Sequence, residues 1–451
     1  MNAPAPKVIK MYAASEDIYP REVKGRYTSL RWLCLWLTQL VFYGTAWLTW
    51  NDRQALLFDL AARKFYIFGL VLWPQDFIYL AALLIACAWG LFLVTAVAGR
   101  VWCGYSCPQT VYTEMFLWIE RKFEGSRSAQ MRLKKASWGF DKVWRKGGKH
   151  IAWLALALWT GFTFVGYFTP IRSLAHEALT LNFGPWEWFW VVFYSFATYG
   201  NAGWMREQVC KYMCPYARFQ SAMFDRDTLI ITYDEKRGEP RGRDTSGSCI
   251  DCSLCVQVCP TGIDIRKGLQ YECIGCAACI DACDMVMDKT GQPRGLIRYD
   301  TDRAIHGGGH ARILRPRVMI YTAALTLFIC AVFAALWMRT PLKVDVIRDR
   351  GSMGREVEDG MIENVYRLQI MNTSEQGHSY RIRASGIDGL AVVTEDVATL
   401  AATETRAVPV RLRVPHGAGE RGSNKITFEL TATDDPSLSV RESAVFIVPR
   451  R

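Results

Sequence analysis

Sulfur carries the chemistry that this sequence advertises. Cys249, Cys252, Cys255 and Cys259 fall at C-x2-C-x2-C-x3-C and are followed by Pro260; Cys273, Cys276, Cys279 and Cys283 repeat the spacing, with Asp284 where the first run has proline. Three thiolates on one tight loop can each ligate one iron of a cubane, and the fourth iron takes its ligand from the other run. The spacing therefore predicts two [4Fe–4S] clusters, one on Cys249, Cys252, Cys255 and Cys283, the other on Cys273, Cys276, Cys279 and Cys259. Zinc or a disulfide framework is the competing reading, but zinc spacing shows two C-x2-C pairs, not triples ending in x3-C. Exchange of the fourth ligand forces the clusters together, which makes the segment a low-potential electron wire. Asp284 alters a turn preference and leaves the ligand set intact.

A second set of sulfurs lies upstream. Val101-Trp-Cys103-Gly-Tyr105-Ser-Cys107-Pro108 and Val209-Cys210-Lys-Tyr212-Met-Cys214-Pro215 share C-x-Y-x-C-P. Each motif closes a pair of apolar stretches and opens an amphipathic one (111–123 and 216–224), an internal duplication. Two hairpins inserted in the same sense imply a pseudo-twofold axis along the membrane normal, with both motifs at one depth. Proline at the first helical position loses no hydrogen bond. Cys107 and Cys214 are thus predicted at helix N-termini, where the dipole and free N–H groups favour thiolate. Arg100, Lys211 and Arg218 add positive potential. Cys103, Cys107, Cys210 and Cys214 can serve as soft ligands for Cu(I), as redox dithiols, or together as a site for a further cluster. Simple packing is the alternative, and two matching pairs at equivalent positions argue against it. Cys34, Cys87 and Cys330 sit in apolar stretches and read as inert. His306 and His310, which flank a triple glycine, read as part of a linker. His176-Glu177 reads as a solvated turn, and Met353, Met361 and Met371 as core packing.

The elements that must position these sulfurs are long and apolar. In 451 residues, 51% are hydrophobic and 17 are Trp, yet mean hydropathy is near zero, so membrane spans are balanced by aqueous portions. Five spans are predicted, at about 29–50, 77–98, 151–168, 186–203 and 318–337, each near the ~20 residues that a bilayer requires. The patch 65–73 is too short to cross and is expected at the interface. The net charge of +11 clusters beside the spans, which argues for topology rather than nucleic-acid binding. Cation bias puts the N-terminus, the 99–150 loop and the cysteine-rich segment on the cytoplasmic side, and the 170–185 loop and everything after Met338 outside. No cleavable signal peptide is evident. Residues beyond about 340 alternate with period two between turn residues, as in Val408-Pro-Val-Arg-Leu-Arg-Val414, and predict an immunoglobulin-like sandwich without its Cys–Trp–Cys hallmark. The domain plan is a cytoplasmic tail (1–28), a membrane domain (29–225), a two-cluster ferredoxin-like α+β insert (226–317), a fifth span (318–338) and a periplasmic β-sandwich (339–451).

Over nearly its whole length the chain resembles the cbb3-type cytochrome oxidase accessory proteins, the CcoG/FixG/RdxA family. The resemblance rests on Trp102-Cys-Gly-Tyr-Ser-Cys-Pro-Gln-Thr-Val111, on Cys214-Pro-Tyr-Ala-Arg-Phe-Gln-Ser-Ala-Met-Phe224 and on the paired cysteine runs. It implies a protein of the bacterial inner membrane that reduces Cu(II) to Cu(I) for the oxidase's copper centre. Cys103, Cys107, Cys210 and Cys214 would be the copper-reducing or copper-binding thiols, with copper as substrate or transient ligand. The implied partners are a cytoplasmic electron donor, the copper ion, and oxidase subunits or copper chaperones; a homodimer is allowed. Two other functions fit the same sequence. One is a quinol dehydrogenase similar to the membrane ferredoxins of nitrate and nitrous oxide respiration; the other is a non-enzymatic oxidase assembly scaffold.

Overall fold

The computed structural model describes residues 18–243, 245–307, 312–349, 351 and 354–449. His310, Met353 and the first 17 residues of the N-terminal tail lie outside them. The chain divides into two compact units, one of residues 1–48 and 83–328, the other of 49–82 and 329–451; the division falls inside the helices Phe77–Ala98 and Pro316–Trp337.

The first unit holds all twelve motif cysteines. Its helices include Arg26–Thr45, the C-terminal part of Phe77–Ala98, Pro108–Glu124, Phe140–Val165 and Pro185–Thr198. Of the five expected spans, two meet the length and apolarity needed to cross a membrane. Their helices are Phe77–Ala98, preceded by a turn from Pro74, and Pro316–Trp337, whose most apolar stretches have mean hydropathies of 2.5 and 2.3 and are almost wholly exposed. The other three differ for visible reasons. Arg26–Thr45 buries Arg31 and Gln39 on its inner side. Phe140–Val165 begins with the cations Lys142, Arg145, Lys146 and Lys149, so the basic loop and the expected third span form one helix. Pro185–Thr198 is 14 residues long and gives way to a π-helical segment, Tyr199–Met205.

Buried ion pairs lock this irregular segment in place. Glu120 accepts from Arg206 at 2.6 Å and Lys149 at 3.2 Å, and Lys149 also reaches Glu124 at 2.7 Å. Trp153 lies beneath both cations and stacks on Phe116 at 5.2 Å. A cation over an aromatic face gains about 0.5–2 kcal/mol. Removing one member of so buried a network strands the others, at a cost of about 3–5 kcal/mol.

The cysteine-rich insert is bracketed by the antiparallel strands Ile230–Tyr233 and Ile297–Asp300. Its helix Ala278–Thr290 docks on the first helix of the chain. The Asp281 carboxylate accepts from the backbone N–H of Thr28 (2.7 Å) and Tyr27 (3.2 Å) and from the Thr28 hydroxyl (2.7 Å). Those are orphan donors at a helix N-terminus, which a carboxylate satisfies in both hydrogen bonding and charge. Asp284 lies inside that helix and accepts from Gly295 N–H at 2.9 Å. Proline there would remove a helical hydrogen bond and clash with the preceding turn.

In the second unit, residues 342–448 form the β-sandwich. One sheet orders the strands Ala391–Val392, Thr405–Val414, Ile362–Asn372 and Leu342–Arg348; the other orders Val397–Leu400, His378–Ser385, Gly422–Ala432 and Ser439–Val448. Every pairing is antiparallel. Alternate residues face inward, so Tyr366, Leu368, Ile370, Ile426, Phe428 and Leu430 are fully buried, as period-two patterning requires. The 65–73 patch does not form a spanning helix. It belongs to a three-stranded meander, Leu56–Asp59, Lys64–Ile67 and Leu70–Leu72. Tyr66, Val71 and Trp73 pack against Met371, and Asp76 pairs with Arg339 (2.6 Å) and Lys343. Alternation of bulky residues around the turn at 60–63 made these strands. His176-Glu177 likewise lies not in a turn but in the helix Ile171–Thr180.

Glu363 has no solvent exposure and is gripped by Arg355 and by Arg413 at 2.7 Å. Burial alone would raise its pKa, but the two guanidiniums outweigh it and hold the carboxyl below its usual range. Such a group contributes stability above its unfolded value of about 4.3, lost as pH falls through the lower folded value. Hydrogen-exchange protection of the strand Ile362–Asn372 should therefore weaken from about pH 4 downward. Glu363→Gln should cost about 1–3 kcal/mol at neutral pH and remove most of that acid sensitivity.

Candidate functional site: two cluster cavities and a four-cysteine junction

The two cysteine runs share one local geometry. In the first, Asp251 and Ser253 adopt left-handed backbone (φ 52° and 55°); in the second, Gly275 and Ala277 do so at the equivalent steps (φ 68° and 59°). A turn of this kind points successive N–H groups into a concavity that suits anions. Backbone N–H groups of Val256, Gly275, Ala278 and Ile297 are directed at the sulfurs of Cys255, Cys273, Cys276 and Cys283. Non-glycine residues accept the left-handed conformation at a cost of order 1–3 kcal/mol where a site demands it.

The runs enclose two separate cavities. One is lined by Cys249, Cys252, Cys255 and Cys283, with Tyr233 and Arg266. The other is lined by Cys259, Cys273, Cys276 and Cys279, and Cys255 also reaches it. The first thus draws three sulfurs from its own run and Cys283 from the other; the second draws three from its own run and Cys259, with Cys255 at its edge, from the other. Burial pushes the Cys255 thiol up to about 11 and those of Cys273 and Cys283 up to about 12. Without a metal these sulfurs are protonated and repel one another when charged. Among the described residues no three His, Cys, Asp or Glu side chains converge on a single ion; a cubane spreads its ligands more widely. Four thiols, inward N–H donors and a dry apolar lining fit a [4Fe–4S] group in each cavity.

The C-x-Y-x-C-P motifs meet beside the second cavity. Cys103 and Cys210 pack against the buried cluster of Val258, Ile274, Cys276, Ala278 and Ala282, which Cys279 also borders. The Cys103 sulfur stands 3.5 Å from the side-chain amide of Gln220. Cys107 and Cys214 occupy helix N-cap positions, each followed by proline. Gln109 donates to the carbonyls of Asn201 (2.9 Å) and Arg206 (3.1 Å), which ties the first motif to the segment that leads into the second. The repeat is not strict: the first motif is carried by the α-helical turn Val101–Tyr105, the second by a π-helical turn, Val209–Met213. Single π turns inside α-helical segments recur at functional sites.

One expectation from the helix ends, that for Cys107, is reversed. Burial pushes Cys103 up to about 11 and Cys210 up to about 12, the neighbouring sulfurs adding to the rise. Cys107 is raised by burial as well, although the N–H groups of Thr110 and Gln109 oppose it. Desolvation outweighs the helix terminus, so a metal must draw the protons off. His306, exposed and bonded to Asp302 at 3.0 Å, takes no part. Cys34, Cys87 and Cys330 line neither cavity. No local pattern marks Gln220 or Asp281, whose roles depend on contacts more than 100 residues distant.

Comparison with known families decides the identity. Residues 332–449 match the IG-like fold at the C-terminus of FixG, residues 205–246 and 239–302 a 4Fe-4S dicluster domain, and residues 80–125 a 4Fe-4S binding domain. Protein RdxA of Cereibacter sphaeroides is 40% identical over 428 residues, covering 90% of this chain and 91% of its own. The chain belongs to the FixG/CcoG/RdxA family. Protein RdxB of the same organism is 38% identical, covering 96% of both chains. Nitrogen fixation protein FixG of Rhizobium meliloti is 37% identical, covering 96% of this chain and 92% of its own. Like its family, the chain is an iron–sulfur electron-transfer protein with an immunoglobulin-like C-terminal domain.

The cavity linings predict which cluster each sulfur serves. Cys283→Ser should alter the EPR signal of the cluster on Cys249, Cys252 and Cys255, and Cys259→Ser that of the cluster on Cys273, Cys276 and Cys279. Each change falls on the opposite run; loss confined to the substituted residue's own run would refute the crossed grouping.

Proposed function

We propose that this protein is a bacterial inner-membrane electron relay that reduces Cu(II) to Cu(I) at its four-cysteine junction, for the copper centre of a cbb3-type oxidase. The observation that carries the reading is the packing of Cys103 and Cys210 against the loop of the second cluster cavity. A thiol site of this kind has an electron source within touching distance. Bound cubanes supply single electrons, the stoichiometry that Cu(II) to Cu(I) requires.

The chain's own residues favour the product. Thiolates are soft ligands, and soft ligands prefer Cu(I). The raised pKa values of Cys103 and Cys210 make uptake of the ion a proton-releasing event. Partial burial of both sulfurs limits the contact of bulk water with the reduced ion.

Membrane insertion is supported by the two apolar helices, whose exposed faces would be costly in water. On this reading Arg26–Thr45, Phe140–Val165 and Pro185–Thr198 cross as well, giving five spans. The cysteine-rich insert faces the cytoplasm, where a donor loads it, and the β-sandwich faces the periplasm, where oxidase subunits or copper chaperones are reached.

Anaerobically purified protein, reduced with dithionite and freed of excess, should convert Cu(II) to Cu(I) that a Cu(I)-specific chelator captures. Cys107→Ser combined with Cys214→Ser should slow that conversion at least tenfold while iron content stays near eight per chain. An unchanged rate with intact clusters would overturn the assignment. Wild-type iron near twelve would show that the four thiols hold a cluster of their own.

A further inference from the structure

Arg100 is buried, 7% exposed, at the centre of the junction. Its guanidinium donates to the carbonyls of Ala217 (2.6 Å), Cys273 (3.2 Å) and Tyr271 and to Gln220 Oε1 (2.6 Å). All four acceptors are neutral. Among the described residues no carboxylate pairs with it, unlike Arg266 and Arg31. Arg266, which lines the first cavity, is held by Asp264 (2.8 Å) and Asp251. Arg31 is held by Glu114 at 3.0 Å. A buried charge without a partner costs several kcal/mol, so the counter-charge must be something else at this spot.

The nearest anionic candidates are sulfur sites. Arg100 bonds the carbonyl of one cluster cysteine, Cys273, and through Gln220 reaches the sulfur of Cys103. The backbone crosses here without room for a side chain: a Cβ on Gly104 would lie 2.8 Å from Gly275 O and 2.9 Å from the Cys276 backbone. Gly275, at φ +68°, likewise abuts the Arg100 carbonyl. A cubane on four thiolates is anionic in both its redox states, and net charge and hydrogen bonding near the sulfurs set its potential.

We propose that Arg100 is the unneutralised counter-charge shared by the second cluster site and the four-cysteine junction, and that it makes the second cluster the higher-potential one of the pair. The charge of Arg266 at the first is offset by Asp264 and Asp251. The asymmetry sets a downhill direction, from the cavity of Cys249, Cys252, Cys255 and Cys283 toward that of Cys259, Cys273, Cys276 and Cys279, and so toward Cys103. Arg100 acts here as a positioning residue, through charge and through the Gln220 bridge. The inference rests on the relay reading and not on copper.

The test is an EPR-monitored redox titration of the full-length protein in detergent, without copper. Wild type should show two steps, the higher belonging to the cluster that Cys259→Ser perturbs. Arg100→Gln should lower that step by at least 59 mV, a tenfold change in a one-electron equilibrium, and leave the other in place. Arg100→Lys, which keeps the charge, should restore most of the shift. Should Arg100→Gln lose its clusters, Gln220→Glu supplies the same test by neutralising the guanidinium in place, and the same selective fall is expected. Equal shifts of both clusters, or none in a variant with full iron content, would overturn the proposal. Neither result depends on whether Cu(II) is the acceptor.

Discussion

Everything at the junction depends on how closely two stretches of backbone approach. The C-x-Y-x-C-P turn of the first hairpin meets the loop of the second cysteine run at Gly104 and Gly275, where neither chain leaves space for a Cβ. Around that crossing, Arg100 bonds both sides, the Tyr299 hydroxyl donates to Gly275 O at 2.6 Å, and Asp281 caps the first helix of the chain. The insert is therefore built into the helical unit by specific polar contacts. Electron transfer falls steeply with distance, so so tight a crossing is the feature that lets two sets of sulfurs act in series.

Burial is the second governing fact. It keeps the free thiols protonated and so reserves their ligand character for a metal that displaces the proton. It also makes every nearby charge count. Arg31 and Arg266 are matched by carboxylates, as buried arginines usually are. Arg100 is matched by carbonyls and an amide, which leaves its charge to act on the sulfurs. The hairpins, the ion-pair network of Glu120, Lys149 and Arg206, and the Gln109 bridge then serve to hold the two motifs at one place.

The cysteine spacing was legible because it is local: three sulfurs on one loop need fixed steps, and the structure repeats the same left-handed residues in both runs. The β-sandwich was legible because alternation survives wherever one face is buried. Less was readable where tertiary contact overrode local pattern. The composition of the 65–73 patch did not disclose its strands, whose Tyr66, Val71 and Trp73 pack against Met371. The fourth apolar stretch looked like one helix, but the π-helical segment Tyr199–Met205 interrupts it. At Cys107 the helix-end argument was sound for an exposed thiol and failed because desolvation is the larger effect. Gln220 is unreadable in any window of sequence, since only the fold brings it to Cys103.

The central claim, that the cluster sites and the four-cysteine junction form one path to copper, meets its most direct test in a single turnover. Dithionite-reduced protein, freed of reductant, is mixed with one equivalent of Cu(II) and freeze-quenched. The account predicts that the Cu(II) EPR signal and one electron's worth of the reduced-cluster signal vanish together in a single phase. Cu(II) that persists beside clusters that stay reduced would contradict it.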